Sequence, residues 1–148
     1  MLIMMPAHVP TEAFVVALVI YREAAGESDL GKIAVAATLR NRVEKPKWWG
    51  KDFYSVATAR YQYSALTVKG DAMTVVWPSF SDPVFQRCIQ IASGIIEDTI
   101  DHPFPGADSY FNPNVVSAPG WATEDRYRGK IGNHVFYDVD KDVEFVAR

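Results

Sequence analysis

The chain has 148 residues, 49% of them hydrophobic and 22% charged, with a formal charge of -3. That is enough apolar material for the core of one ordinary domain and too much for a disordered chain. No long basic run is present, which argues against a nucleic-acid binder.

The N-terminal stretch is apolar but unlike a targeting segment. No Lys or Arg precedes Arg22, Pro6 and Pro10 interrupt the run, and Ala13 to Ile20 is too short to cross a bilayer. We expect a protein made without its own export signal and without membrane insertion. The first helix starts at Thr11 as cap, with Glu12 in its first turn. It runs to about Ala24, where Gly26 ends it. Apolar on most sides, it is expected at the centre of the fold.

Ser28-Asp29 caps a second helix over "LGKIAVAATLRNRVEK", which Pro46 stops. Ala34, Ala36 and Ala37 permit close packing. The stretch "RNRVEKPKWWGKDF" then turns polar and loop-like. A short helix follows near Asp52 over "FYSVATA", and "RYQYSALTVKGDAM" is irregular. Ser81 caps the clearest helix, with Val84, Cys88, Ile91 and Ile95 on one face. After His102, the residues Pro103, Pro105 and Gly106 mark a loop. "SYFNP" and "HVFYDVD" read as short strands, separated by the turn-rich "NVVSAPGWATEDRYRGKIGN". The expected class is α+β, mostly helical with a small irregular or β lobe, in a single domain over residues 1–148.

Glu23 follows the apolar helix and precedes Ala24, Ala25 and Gly26. Two readings stand open for it. One is a solvated charge at a helix end. The other is an acid whose poorly solvated carboxyl has a raised pKa, as glycosidic-bond cleavage requires. Glu27 lies four residues on, but Gly26 argues against a continuous helix that would place both on one face. Cys88, the lone cysteine, sits among apolar residues as a buried side chain. His8, His102 and His134 have no metal-ligand spacing, and no paired cysteines suggest zinc. We expect no metal and no cofactor.

In order and spacing, "YREAAGES", "GKIAVAATLRNRV", "YQYSAL", "SYFNP", "PGWA" and "KIGNHVFY" resemble the cell wall hydrolases of the spore-cortex-lytic enzyme type (SleB-like). The resemblance spans roughly residues 13 to 137. It implies a lysozyme-like, lytic transglycosylase-like fold, a peptidoglycan substrate and Glu23 as catalytic acid. It implies substrate binding by Gln62, Tyr63, Ser64, Tyr110, Trp121, Asn133 and His134, while Glu27 is read as a structural or helper carboxylate. Phe111 also matches an aromatic position, and Asn41-Arg42 closes the helix signature. Arg22, Ser28 and Tyr63 depart from the usual pattern.

The activity so implied is cleavage between N-acetylmuramic acid and N-acetylglucosamine with a 1,6-anhydro product. The alternatives are a hydrolytic muramidase and a non-catalytic cell-wall-binding or virion structural protein. Asp52, Asp108, Glu124 and Asp125 are the carboxylates that a hydrolytic route would draw on. A chain of this type, made in the bacterial cytoplasm without a signal peptide, looks like a phage or prophage endolysin released to the wall by a holin.

Overall fold

The structure is a computed structural model that describes residues 9–47, 49–59 and 77–140. Its elements in chain order are α1 (Thr11–Ala24), α2 (Asp29–Glu44), α3 (Phe53–Thr58), α4 (Pro83–Ile96), β1 (Ser109–Phe111), a 3-10 turn at Glu124–Arg126, β2 (Tyr127–Ile131) and β3 (His134–Tyr137). The α+β class with a small β lobe is as expected from the sequence.

Helix α1 is the centre of the helical lobe, packed by α2, α3 and α4. Val16, Ala17, Val19 and Ile20 on it are fully buried. Its entry differs from expectation. Pro10, not Thr11, occupies the cap position, and the Phe14 N–H donates to the Pro10 carbonyl at 3.0 Å. The fixed φ of proline leads the chain into the helix, which leaves Thr11 as the first helical residue. Helix α4 is likewise capped by Asp82 rather than Ser81. The Asp82 carboxylate accepts from the Val84 N–H at 2.9 Å, with Pro83 at the first helical position. On its expected face Cys88, Ile91 and Ile95 are buried, while Val84 is exposed.

Helix α2 is capped by Ser28, whose hydroxyl accepts from the Gly31 N–H at 3.1 Å. Its polar end is not a loop. Arg40, Asn41 and Arg42 lie within the helix and are buried, and Lys45 at its C-cap is wholly buried. Burial of such groups requires partners. Asn41 Nδ2 donates to the Ala107 carbonyl at 2.7 Å, and Arg42 Nε to the Asp108 carbonyl at 2.6 Å. Lys45 Nζ donates to the Gly106 carbonyl at 2.9 Å and pairs with Asp138 at 2.9 Å and Asp108 at 3.3 Å. The end of α2 is therefore the anchor of the β lobe.

The three strands form an antiparallel sheet in the order β1-β3-β2. Strand β2 falls in the stretch expected to be only turns. Its charges and Gly129 hide the alternation, and the register slips between Tyr127 and Gly129. Strand alternation divides the aromatic residues between two faces. Tyr110, His134 and Phe136 pack together on the face that joins the core. Phe111, Tyr137, Trp121 and Tyr127 cluster on the other face. No described helix is long and apolar enough to cross a membrane.

Candidate active site

Glu23 stands in the last turn of α1, partly buried, where the helical lobe meets the turn into α2. That turn is not closed by a left-handed glycine, since Gly26 has no positive φ. Instead the Glu27 N–H donates to the Ala24 carbonyl at 3.0 Å, and the Lys32 ammonium donates to the Glu27 carbonyl. Two residues before Glu23, the Tyr21 hydroxyl donates to Asp82 Oδ2 at 2.7 Å and ties α1 to the start of α4. The corner that carries Glu23 is thus fixed on both sides.

From this corner the Glu27 side chain reaches the β2–β3 turn. Its Oε1 accepts from the Asn133 backbone N–H at 2.9 Å, and its Oε2 accepts from Asn133 Nδ2 at 2.8 Å. Asn133 Oδ1 in turn accepts from Asn114 Nδ2 at 3.4 Å. The turn consists of Gly132 and Asn133, with Gly132 at φ 57°. Glycine is needed there twice over. A two-residue hairpin favours positive φ, and a Cβ on Gly132 would lie 2.2 Å from Glu27 Oε1.

These contacts set the local electrostatics. The Asn133 backbone N–H holds the Glu27 carboxyl below its ordinary pKa of 4.5, with Asn133 Nδ2, His134 and Lys32 adding to the effect against the cost of burial. Burial pushes the His134 imidazole below its ordinary 6.5, which the nearby Glu27 charge partly opposes. His134 Nδ1 is buried without a hydrogen bond among the described residues, 3.8 Å from Glu27 Oε1.

The structure therefore groups Glu27, Asn133, His134 and Tyr110, the last two with ring centroids 5.1 Å apart. Trp121 is on the opposite sheet face from Tyr110 and His134, packed on Phe111 and Tyr137. Gln62, Tyr63 and Ser64 lie outside the described residues. Of the other carboxylates, Asp52 caps α3 and accepts from the Ser55 N–H at 2.7 Å. Asp108 is wholly buried against Lys45 and accepts from the backbone N–H groups of Val139 and Asp140. Glu124 and Asp125 are exposed on the 3-10 turn, where Asp125 accepts from the Thr123 hydroxyl at 2.6 Å.

Asn114 was not foreseen from the sequence, because one asparagine in a turn-rich stretch carries no signal of a partner 19 residues away. A cavity of about 580 Å³ opens at the other end of α1, lined by Thr11, Glu12, Ser93, Ile96 and Glu97 among others. At 1.5 Å per residue it is about 18 Å along the helix from Glu23. Among the described residues, no group of three or more His, Cys, Asp and Glu side chains is arranged to hold a metal ion.

Residues 26–137 match the model of the Cell Wall Hydrolase family. Glu23 lies three residues before that match begins. A spore cortex-lytic enzyme of Halalkalibacterium halodurans is 29% identical over 117 residues, which are 79% of this chain and 32% of the relative. The chain thus spans about a third of the length of that curated relative. The fold is similar to the catalytic domain of the germination-specific lytic transglycosylase SleB from Bacillus anthracis. The TM-score is 0.63 at 24% identity, over 90% of this chain and 99% of that one. The catalytic domain of the Bacillus cereus SleB protein is similar to the same degree, with a TM-score of 0.63 at 24% identity over 89% and 94% of the two chains.

Proposed function

The chain belongs to the Cell Wall Hydrolase family, and from that premise we propose that it degrades bacterial peptidoglycan as a lytic transglycosylase with Glu23 as its acid and base. The observation that carries the assignment is the position of Glu23, at the end of the central helix and on the corner that the β lobe grips through Glu27. Both carboxylate oxygens of Glu27 and of Asp108 are engaged in structural hydrogen bonds, and Asp52 Oδ1 caps α3. That favours a route with one acting carboxyl over one with two.

In that route Glu23, protonated, donates to the oxygen between N-acetylmuramic acid and N-acetylglucosamine as the C1–O bond breaks. The carboxylate then takes the proton of the muramoyl O6 hydroxyl while O6 bonds to C1. The product is a 1,6-anhydro end, no water is consumed, and the acid is regenerated. The acetamido group of the substrate and polar groups near the cleft stabilise the cationic transition state. His134 and Tyr110, on the same face as the Glu27–Asn133 contact, are the described candidates to line the sugar path. Trp121 would reach substrate only around the edge of the sheet.

Mass spectrometry of digested peptidoglycan tests the chemistry. Anhydro ends are expected, and reducing muramic acid would make the enzyme a hydrolytic muramidase instead. Glu23→Gln should lower turnover by about 10²–10⁴-fold, the usual contribution of general acid-base catalysis. Full lytic effect from that variant would favour a non-catalytic wall-binding role.

The endolysin role is a further part of the proposal. Expression in the bacterial cytoplasm should be tolerated, with lysis following co-expression of a holin. Rapid lysis without a holin would contradict it.

A further inference from the structure

The β lobe is held to the helical lobe at both ends of α2, and the two attachments differ in kind. At the C-terminal end Asn41, Arg42 and Lys45 make a buried set of bonds to residues 106–108 and Asp138. At the N-terminal end the hydrogen-bonded attachment is one carboxylate on one turn, Glu27 on Asn133, with Asn133 exposed. A 16-residue helix separates them by about 24 Å. Between them Phe136 is buried in the common core, with Tyr110 and Ile131 packed against it, so the Glu27–Asn133 contact is the polar fastening at the exposed end.

We propose that Glu27 and Asn133 form a latch that sets the angle of the β lobe beside Glu23, which makes both of them positioning residues for glycan cleavage. Glu27 lies four residues after Glu23 on the same fixed corner, so the latch registers the sheet face of His134 and Tyr110 against the acid. Asn114 holds the Asn133 amide in the orientation that points Nδ2 at Glu27. Glu27 on this account acts through Asn133, with both oxygens engaged, and does not touch the reacting atoms. The inference rests on the proposed activity at Glu23.

The geometry supplies its own test, because the side-chain hydrogen bond can be reversed. In the double variant Glu27→Gln/Asn133→Asp, Gln Oε1 still accepts from the backbone N–H of residue 133. Gln Nε2 then donates to the new carboxylate, whose other oxygen still accepts from Asn114.

Steady-state kinetics on purified peptidoglycan would be run on wild type, both single variants and the double variant. Each single variant should lose about 10- to 100-fold in kcat/KM, the scale of a misplacement of about 1 Å. Most of that loss should fall on KM, since Glu23 keeps its own helix. The double variant should recover to within a few-fold of wild type. A double variant as impaired as the single ones overturns the latch, as does a single variant with wild-type kinetics. If a single variant does not fold, Asn133→Ser replaces it, keeping the backbone donor and removing the amide. A wild type that releases no glycan fragments, or an active Glu23→Gln, would instead overturn the proposed activity.

Discussion

Lys45 and Asp138 are 93 positions apart in the chain, yet Lys45 Nζ lies 2.9 Å from Asp138 Oδ1 with the lysine side chain wholly buried. Asp108, also wholly buried, completes the group at 3.3 Å. A buried cation between two carboxylates holds only while all three charges are present. Lys45→Met would leave the buried Asp108 facing Asp138, with Arg128 at 3.8 Å from Asp138 Oδ2 as the remaining cation. We expect a loss of about 3–5 kcal/mol of folding stability, as when one partner of a buried pair is removed. Denaturant unfolding measures it. A loss below 1 kcal/mol would show that solvent reaches the group.

Stability should fall in acid through two groups. The folded pKa of His134 lies below 6.5, so between those values the unfolded chain binds more protons and stability rises with pH. The folded pKa of Glu27 lies below 4.5, and the same sign holds in that lower window. Both contributions are full above 6.5. The His134 part is lost first as pH falls, and the Glu27 part only below 4.5. His134→Gln should flatten the upper part of a stability–pH curve, and Glu27→Gln the lower part. Unchanged curves would show that neither group is coupled to folding.

Gly132→Ala should resemble loss of the latch. The new methyl group would lie 2.2 Å from Glu27 Oε1 and would push the carboxylate off Asn133. The positive φ of 57° adds backbone strain of about 1 kcal/mol. Thermal unfolding should show a loss of about 2–3 kcal/mol from strain and the weakened charged hydrogen bond together. A stability change under 0.5 kcal/mol would mean that Glu27 finds an equivalent arrangement.

Cys88 is fully buried on α4, and burial pushes its thiol up to about 12. It should resist alkylation at pH 8 in the native protein and react only through unfolding. The labelling rate in rising denaturant should follow the global unfolding equilibrium. Rapid labelling in buffer alone would reveal a local opening of α4.

The helical lobe was legible because its signals are local. Ser28, Pro46 and the apolar run of α1 declare themselves within a few residues. The caps at Pro10 and Asp82 were each one residue from expectation, since Ser81 shares the capping chemistry of Asp82 and Pro10 sets the entry of α1 with no side-chain cap. The polar tail of α2 misled for another reason. Arg40, Asn41 and Lys45 look solvated until the rest of the chain returns, with the Ile95 carbonyl for Arg40 and residues 104–108 for Asn41 and Lys45. Among the candidate site residues, the meeting of His134 with Tyr110 on one sheet face follows from strand parity, since Tyr110 pairs with Phe136, two residues on from His134. The crossing of Glu27 to Asn133 over 106 positions has no local mark at all.

The strand order β1-β3-β2 places the last of the described strands in the middle of the sheet. As the chain leaves the ribosome, β1 and β2 have no partner until residues 134–137 emerge. The helices can collapse well before then on local contacts, while the sheet must await its central strand. Asn133 immediately precedes that strand, and His134 begins it. Asn133 and His134 thus take their places only once that central strand emerges, so a nascent chain holds its proposed acid long before the small lobe is in place beside it.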